Sequence, residues 1–194
     1  VEKLSGRNCQ FLPSCRDLPV KPKKTRTEPP FRLAFLGRWH PNKGIDLLLE
    51  MLEQLSPGDW ALIDQVRIFG GGPLENHVKE KCCFLENSGH PVKIGGFIGI
   101  PSRIESIPVI FSDALQAGCP MVTTPVGDLP ALMDQYKVGL MAGEVSARAL
   151  LETVQRALRQ NPADYAPALK SARHAFSVSA SVDTFMRYIA QTNH

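Results

Sequence analysis

Short apolar segments alternate with longer segments of helical periodicity along most of this chain. Five apolar runs of strand length predict β-strands at residues 31–37, 66–70, 92–97, 120–124 and 138–141. Between and after them, apolar side chains at helical spacing predict helices at residues 44–55, 73–86, 108–117, 129–134 and 146–158. Strands and helices that alternate in this way are typical of βαβ units. The pattern therefore predicts an α/β fold with a doubly wound, mainly parallel sheet.

The two ends of the chain follow a different pattern. Residues 16–30 contain four prolines and few apolar side chains, which predicts that residues 1–30 form a linker or an exposed arm. The arm carries a basic cluster that either faces water or contacts acidic lipid headgroups, and we favour the first. Its members are Lys21, Lys23, Lys24 and Arg26. Residues 163–190 have broken helical periodicity.

The composition narrows the class of protein. With 194 residues, of which 43% are hydrophobic and 21% charged, the chain resembles an ordinary globular domain, so disordered and fibrous classes are excluded. A net charge of +3, with cations and anions interleaved, gives no reason to expect a nucleic acid partner. No apolar run reaches the ~18 residues of a membrane span. Five cysteines without framework spacing favour a reducing compartment, and we expect a cytoplasmic protein.

The loop after the first predicted strand is a candidate anion site. In a parallel sheet, ligands bind beyond the carboxyl ends of the strands. Here the loop GRWHPNKG places Arg38 and Lys43 between a strand end and a helix start. Two cations beside the exposed N–H groups of a helix can hold a diphosphate. The alternative is that both cations simply face water.

The loop after the second predicted strand is rich in glycine. Residues 70–73 read GGGP, which matches neither the dinucleotide-binding nor the Walker fingerprint. This sequence predicts a tight turn with close backbone approach.

The segment 101–120 offers two carboxylates near a third cleft loop. Glu105 precedes the helix predicted at 108–117, and Asp113 lies inside that helix. One interpretation has Ser112, Asp113 and Gln116 forming a polar face in water. The other has Asp113 partly buried among apolar neighbours, where its carboxylate needs a donor such as the diol of a ribose.

These motifs, in this order, resemble one known family. The motifs are GR-x4-K, GGGP, PSRIE-x7-D, AG-x-PMV and PVGDLPALM. Their combination is similar to the C-terminal half of the group-1, glycogen-synthase-like retaining glycosyltransferases, which have two facing Rossmann-like domains in the GT-B architecture. The match runs over residues 31–158. The later segment HAFSVSASVDTFMRYIAQ is similar to the closing helix of the family, which packs back on the first domain.

The resemblance implies an organisation into three parts. Residues 1–30 would be an interdomain arm, residues 31–175 a Rossmann-like donor-binding domain, and residues 176–194 a C-terminal helix that packs on an N-terminal domain. The implied function is binding of a nucleotide-diphosphate sugar for transfer to a glycan or lipid-linked glycan. Transfer is expected to need the N-terminal domain, and a lipid-linked acceptor would bring the protein to the cytoplasmic face of the membrane.

The resemblance also implies roles for individual residues. Arg38 and Lys43 would hold the donor diphosphate, and Asp113 would bind the ribose hydroxyls. Glu105 would be the catalytic residue facing the donor sugar. The backbone N–H groups of Ser106 and Ile107 would lie beside the sugar, and Phe97 would lie by the base. The family implies no metal and no cofactor, because its two cations stabilise the departing phosphate.

The chain departs from the family pattern at three places. Asp113 stands where the family usually has Glu, and Ser106 where it usually has Gly. Between Phe97 and Pro101 the chain is also roughly 20 residues shorter than the family, the length of half a βαβ unit. Either a strand has been lost, or the sequence leaves out a stretch there. We expect the second, because losing an internal strand would leave a gap in the core; an intact mass equal to that of the 194 residues would contradict it.

The remaining polar and aromatic residues give weaker signals. The histidines are scattered without a catalytic order, at least one of Cys82 and Cys83 is expected in the core, and Trp39 is expected to pack at its strand end. The alternative to an enzyme is a non-catalytic nucleotide-binding or interaction module. A sugar-nucleotide epimerase of the same architecture is a third and weaker possibility.

Overall fold

The fold is described from a computed structural model of the chain. It describes residues 26–93, residue 102 and residues 109–192, and the account below concerns these residues.

Five parallel strands form the sheets of the described chain. They are β1 (Phe31–Leu36), β2 (Ile63–Phe69), β3 (Val92–Lys93), β4 (Met121–Thr123) and β5 (Gly139–Met141). One sheet has the order β1-β2-β3 and the other pairs β4 with β5, and every pairing is parallel. The parallel arrangement predicted from the βαβ rhythm is thus confirmed. Among the described residues β1 does not pair with β4. The omission of a stretch between Phe97 and Pro101 stays a prediction.

Eight α-helices connect or follow these strands in the described residues. They are α1 (Ile45–Glu53), α2 (Pro57–Trp60), α3 (Glu75–Asn87), α4 (Val109–Ala117), α5 (Leu129–Tyr136), α6 (Ala147–Ala157), α7 (Ala166–Ala175) and α8 (Val178–Thr192). Short 3-10 turns lie at Pro41–Lys43 and Pro162–Tyr165. No helix in this part of the chain is both long and apolar enough to span a bilayer.

Helices α7 and α8 lie where the helical periodicity is broken, and helix α2 was likewise not predicted from the periodicity. Four residues are too few for a hydrophobic period, and the helix is defined by its cap instead. The Ser56 hydroxyl accepts a hydrogen bond from the Asp59 N–H at 3.2 Å, while the Asp59 carboxylate accepts from the Ser56 N–H at 3.2 Å. This reciprocal capping box, with Pro57 in the first turn, fixes the helix start.

One hydrophobic cluster lies on a single face of the three-stranded sheet. Phe35 of β1 and Ile68 of β2 are register partners and are buried at 2% and 0% exposure. They pack with apolar side chains of α1, α3 and α6, among them Leu52, Cys82 and Leu150. Burial of Cys82 confirms that one of the two adjacent cysteines lies in the core.

A second cluster surrounds β4 and joins α4, α5 and α7. Its centre is Phe176, fully buried, whose ring lies 5.4 Å from that of Phe111 and 5.6 Å from that of Tyr136. Such tilted and edge-on aromatic contacts add to the stabilisation from burial. Helix α8 begins two residues after Phe176, so this cluster ties the end of the folded core to the start of the last helix.

Candidate functional site

The loop after β1 leads directly into helix α1. Arg38 is exposed just past the strand, and Lys43 ends the 3-10 turn Pro41–Lys43. His40 caps this turn, because its Nδ1 accepts a hydrogen bond from the Asn42 N–H at 3.2 Å. Gly44 then takes a left-handed conformation, with φ of 64°, and α1 begins. Both cations thus lie between a strand end and a helix start, as the sequence predicted.

The turn after β2 is hydrogen-bonded to this loop along its length. The Gly37 N–H donates to the Phe69 carbonyl at 3.1 Å, and the Trp39 N–H donates to the Gly71 carbonyl at 3.0 Å. In return, the Leu74 N–H donates to the Trp39 carbonyl at 3.0 Å. The loops after two neighbouring strands therefore form one hydrogen-bonded unit. We call residues 37–44 and 70–72 together the paired loops.

Close approach between the paired loops explains the glycines. A Cβ at Gly70 would lie 2.0 Å from the Gly37 carbonyl oxygen, and a Cβ at Gly72 would lie 2.8 Å from the Trp39 carbonyl oxygen. Neither distance is possible without a shift of backbone. The close backbone approach predicted from GGGP is confirmed.

Trp39 is the side chain that fills the space between the paired loops. It is 2% exposed and belongs to the first hydrophobic cluster, which confirms that it packs instead of projecting into a cleft. Its indole N–H has no hydrogen-bond partner among the described residues. Packing, and not a polar contact of the indole, thus holds Trp39 in this position.

Helix α4 carries Asp113 on a buried surface. Ser112, Asp113 and Gln116 are 0%, 6% and 3% exposed, so the interpretation of a water-facing polar face is wrong. Six consecutive residues of this short helix, 111–116, are buried, and the expected burial of Asp113 is confirmed. The Gln116 Oε1 accepts a hydrogen bond from the Arg173 Nε at 3.2 Å, which ties α4 to α7.

The carboxyl end of β4 contacts the motif that leads to Glu105. The Thr124 hydroxyl donates to the carbonyl of Ser102, and these residues are 0% and 2% exposed. This hydrogen bond places Ser102, the second residue of the PSRIE motif, at the end of β4. The adjacent Thr-Thr pair at the strand end was a signal for it that the sequence analysis did not use.

Four predicted site residues lie outside the described residues. They are Phe97, Glu105, Ser106 and Ile107. Their assignments stay predictions. Arg38, Lys43 and Asp113 are the predicted site residues that the structure describes.

Two buried thiols of the described chain, those of Cys82 and Cys119, are not activated nucleophiles. Burial raises the pKa of Cys82 to about 11, with a further contribution from the charge of Glu86, and burial raises the pKa of Cys119 to about 12. Both thiols therefore stay protonated near neutral pH. Within the described ranges, no group of three His, Cys, Asp or Glu side chains could hold a metal ion.

Asp59 is a buried carboxylate that the sequence analysis missed. Burial by itself raises its pKa, but hydrogen bonds from Ser56, Gln155 and Arg159 outweigh that effect and lower the pKa to about 2. Gln155 Nε2 and Arg159 Nη2 donate to it at 2.8 and 2.9 Å. Because Ser56 caps α2, Gln155 belongs to α6 and Arg159 follows α6 by two residues, this carboxylate joins two helices and has a structural role. The Ser-Pro-x-Asp cap was the signal that could have found it.

A shallow cavity of about 770 Å³ lies along α6, and none of the described site residues, Arg38, Lys43 and Asp113, lines it. Its lining includes Glu144, Arg148, Glu152, Arg156 and Arg159. Arg148 pairs with Glu152 at 3.1 Å, and Arg159 pairs with Asp59. Since cations and anions compensate each other here, the cavity is a weaker candidate for anion binding than the paired loops.

Comparison with known proteins shows the family. A family model described as "Glycosyl transferases group 1" matches residues 30–160, and this chain belongs to that family. A similar curated protein is the putative colanic acid biosynthesis glycosyltransferase WcaL of Escherichia coli strain K12. It is 27% identical over an alignment of 175 residues, and the match covers 80% of this chain and 42% of that protein. The chain spans less than half the length of the curated relatives that it matches.

Solved structures show the fold. TarM of S. aureus, in complex with Fondaparinux, alpha-GlcNAc-glycerol and UDP, matches with a TM-score of 0.70 and 16% identity; the match covers 95% of this chain and 40% of that one. The C-terminal domain of a group 1 glycosyl transferase (LpcC) from Francisella tularensis matches with a TM-score of 0.59 and 14% identity, over 81% of this chain and 95% of that one. The chain is thus a Rossmann-like α/β half of a GT-B fold, as the motifs predicted.

Proposed function

We propose that this chain is the donor-binding domain of a retaining glycosyltransferase. It binds a nucleotide-diphosphate sugar, whose sugar is transferred to a glycan or a lipid-linked glycan. The observation that carries the proposal is the pairing of the two loops, which sets Arg38 and Lys43 at the start of α1 beside the carboxyl ends of β1 and β2.

Arg38 and Lys43 bind the donor diphosphate in this proposal. The Arg38 guanidinium is exposed and makes no ion pair or hydrogen bond with another described residue. It is therefore available to donate hydrogen bonds to two phosphate oxygens at once. The first turn of α1 follows at once and adds the positive end of its dipole. Both features stabilise the charge that develops on the departing nucleotide.

Asp113 binds the ribose hydroxyls in this proposal. Its buried position on α4 gives the carboxylate a low-dielectric surrounding, in which hydrogen bonds to hydroxyl groups are strong. An Asp side chain is one carbon shorter than the Glu that is usual here, so we propose that the ribose lies correspondingly closer to the helix axis.

The catalytic carboxylate is Glu105 in this proposal, on the strength of its motif. It faces the donor sugar, beside the N–H groups of Ser106 and Ile107, while Phe97 lies by the base. The donor phosphate helps to deprotonate the acceptor hydroxyl, and the anomeric configuration is retained. We propose that the reaction needs neither a metal ion nor a further cofactor, since the two cations and the helix N-terminus neutralise the phosphate.

A second domain completes the enzyme in this proposal. The chain spans 42% of the WcaL sequence, which leaves room for an N-terminal domain that carries the acceptor site. Helix α8 presents an apolar stripe to solvent that such a domain would cover. Its members are Val178, Val182, Phe185 and Met186, which are 40% to 59% exposed. Residues 1–30 form the crossing between the domains and 31–175 the donor domain, and we place the enzyme in the cytoplasm, at the membrane face if its acceptor is lipid-linked.

Calorimetric titration of the chain with UDP, GDP and ADP tests donor binding. We expect saturable heat with at least one of the three, and no sugar transfer by the chain alone. A folded sample that gives no heat with any of them would rule out a donor site.

A separate assay distinguishes an enzyme from a non-catalytic module. The two-domain protein is incubated with nucleotide sugars, and release of free sugar and nucleotide is followed. Slow donor hydrolysis is expected of a glycosyltransferase. Nucleotide binding without hydrolysis or transfer to any glycan would favour the module.

A further inference from the structure

We propose that Leu36 and Phe69 form an apolar platform on which the base of the donor nucleotide stacks. The proposal rests on the proposed function and adds to it a second contact surface, made by the two strand ends themselves.

Leu36 and Phe69 are neighbours in the sheet. They are register partners at the ends of β1 and β2, so their side chains lie on the same face, about 5 Å apart across the strands. Leu36 is 39% exposed and Phe69 is 38% exposed. Their strand neighbours Phe35 and Ile68 point to the other face and are buried in the first cluster. The platform therefore lies on the face opposite α1 and α3.

Elsewhere on this face of β1 and β2 no apolar side chain is exposed, because Ala34 is buried at 8% exposure and the other side chains are polar. Arg32 and Gln65 are register partners on it, and so are Ala34 and Arg67. The Arg32 Nε donates to Asp64 Oδ2 at 2.7 Å, and the Arg67 Nε donates to Gln65 Oε1 at 2.7 Å. Both cations are thus satisfied by neighbours within the strands. On this face, the exposed apolar side chains of β1 and β2 lie only at the carboxyl ends of the two strands.

The position of the platform indicates the chemistry of its ligand. Gly37 and Arg38 follow Leu36 directly, and the turn at Gly70 follows Phe69 directly, so the platform borders the paired loops. A ligand that occupies both surfaces must join an anionic group to a flat apolar ring. A nucleoside diphosphate has this combination. A phenylalanine ring accepts any base, because every base has a flat aromatic face.

Replacing Phe69 tests the platform. Phe69→Ala, Phe69→Tyr and the control Phe84→Ala are each titrated with UDP, GDP and ADP and with inorganic pyrophosphate. Phe84 is the matched control because it is an aromatic side chain, 59% exposed, on α3. Loss of base stacking is expected to weaken nucleoside diphosphate binding by Phe69→Ala about tenfold. Pyrophosphate binding should not change, Phe69→Tyr should bind like the wild type, and Phe84→Ala should not differ from it.

The outcomes separate this proposal from the one it rests on. If Phe69→Ala binds nucleotides as tightly as Phe84→Ala does, or loses pyrophosphate to the same degree as nucleotide, the platform is overturned while the donor site stands. If the folded wild-type chain binds neither nucleotide nor pyrophosphate, the donor site itself is overturned and the platform with it.

Discussion

The main-chain N–H of Trp39 donates to the carbonyl of Gly71 at 3.0 Å, which joins the loop after β1 to the turn after β2. Trp39 follows Arg38 in the chain, so the position of this cation depends on a turn more than thirty residues later. The buried indole fills the space between the two segments. Loop geometry and core packing are therefore coupled at the proposed diphosphate site.

Gly70→Ala should destabilise the fold, whereas Gly71→Ala should not. A Cβ at Gly70 would lie 2.0 Å from the Gly37 carbonyl and 2.7 Å from the Trp39 indole nitrogen, while nothing lies within 4 Å of a Cβ at Gly71. We expect Gly70→Ala to lower the free energy of unfolding by about 2 kcal/mol or more. Urea unfolding of the two variants measures it, and equal midpoints would show that the loops separate easily.

Arg38→Ala and Lys43→Ala should weaken the binding of diphosphates more than that of the nucleoside. A charge-assisted hydrogen bond contributes about 1.5–3 kcal/mol, so each variant should lose about tenfold or more in affinity for the diphosphate. Each variant is titrated with UDP and with uridine, or with the nucleoside diphosphate and nucleoside of the preferred base. The two titrations give the loss of affinity for the diphosphate and for the nucleoside. Arg148→Ala, which removes an exposed arginine on α6, is the control. Equal losses for nucleotide and nucleoside would contradict the role of these cations.

Asp113→Asn should weaken nucleotide binding through the ribose alone. A carboxylate accepts hydrogen bonds from two hydroxyls, whereas the amide offers a single acceptor oxygen, so about a tenfold loss is expected for the ribonucleotide. A 2′,3′-dideoxy nucleoside diphosphate lacks both hydroxyls and should bind the wild type and the variant equally well. The same loss on both ligands would instead indicate that the substitution disturbs the buried surface of α4.

Asp59→Asn should destabilise the chain in a pH-dependent way. The pKa of Asp59 falls from 3.8 to about 2 on folding, so its ionised form favours the folded state. The shift corresponds to about 2 kcal/mol. This stabilisation is fully present above about pH 4 and is lost as pH falls toward about 2, through the pKa of the folded state.

Urea unfolding of the wild type and Asp59→Asn at pH 7 and near pH 2 measures this effect. The stability gap between the two proteins should be largest at pH 7 and should narrow in acid. Asp134→Asn is the control, because its carboxylate pairs with Lys137 on the surface, where it is 83% exposed. A gap that does not change with pH would mean that the hydrogen bonds of Asp59 do not depend on its charge.

The strands and long helices were predictable because each has a strong hydrophobic pattern. Helix α1, for example, buries one apolar stripe, and its predicted span differs from the observed one by one residue at the start and two at the end. Strand β2 begins at Ile63, earlier than predicted, because Asp64 and Gln65 interrupt the apolar run although Ile63 and Gln65 still pair with β1. Local pattern does not reveal pairing with a distant strand.

Contacts between residues that are far apart in the chain could not be predicted from a single sequence. The glycines 70–72 suggested close approach, but not that the partner would be Trp39. Likewise, nothing local shows that Asp59 receives hydrogen bonds from Gln155 and Arg159, about a hundred residues away. Burial of Ser112 and Gln116 also arises from tertiary packing, because their polarity alone favours the surface.

Amide chemical-shift mapping on addition of the preferred nucleoside diphosphate tests the central claim most directly. We expect the largest shifts in the paired loops, at residues 37–44 and 70–72, and on the neighbouring strand ends at Leu36 and Phe69. Shifts concentrated instead along the α6 cavity, between Gly143 and Arg159, would contradict a donor site at the carboxyl ends of β1 and β2.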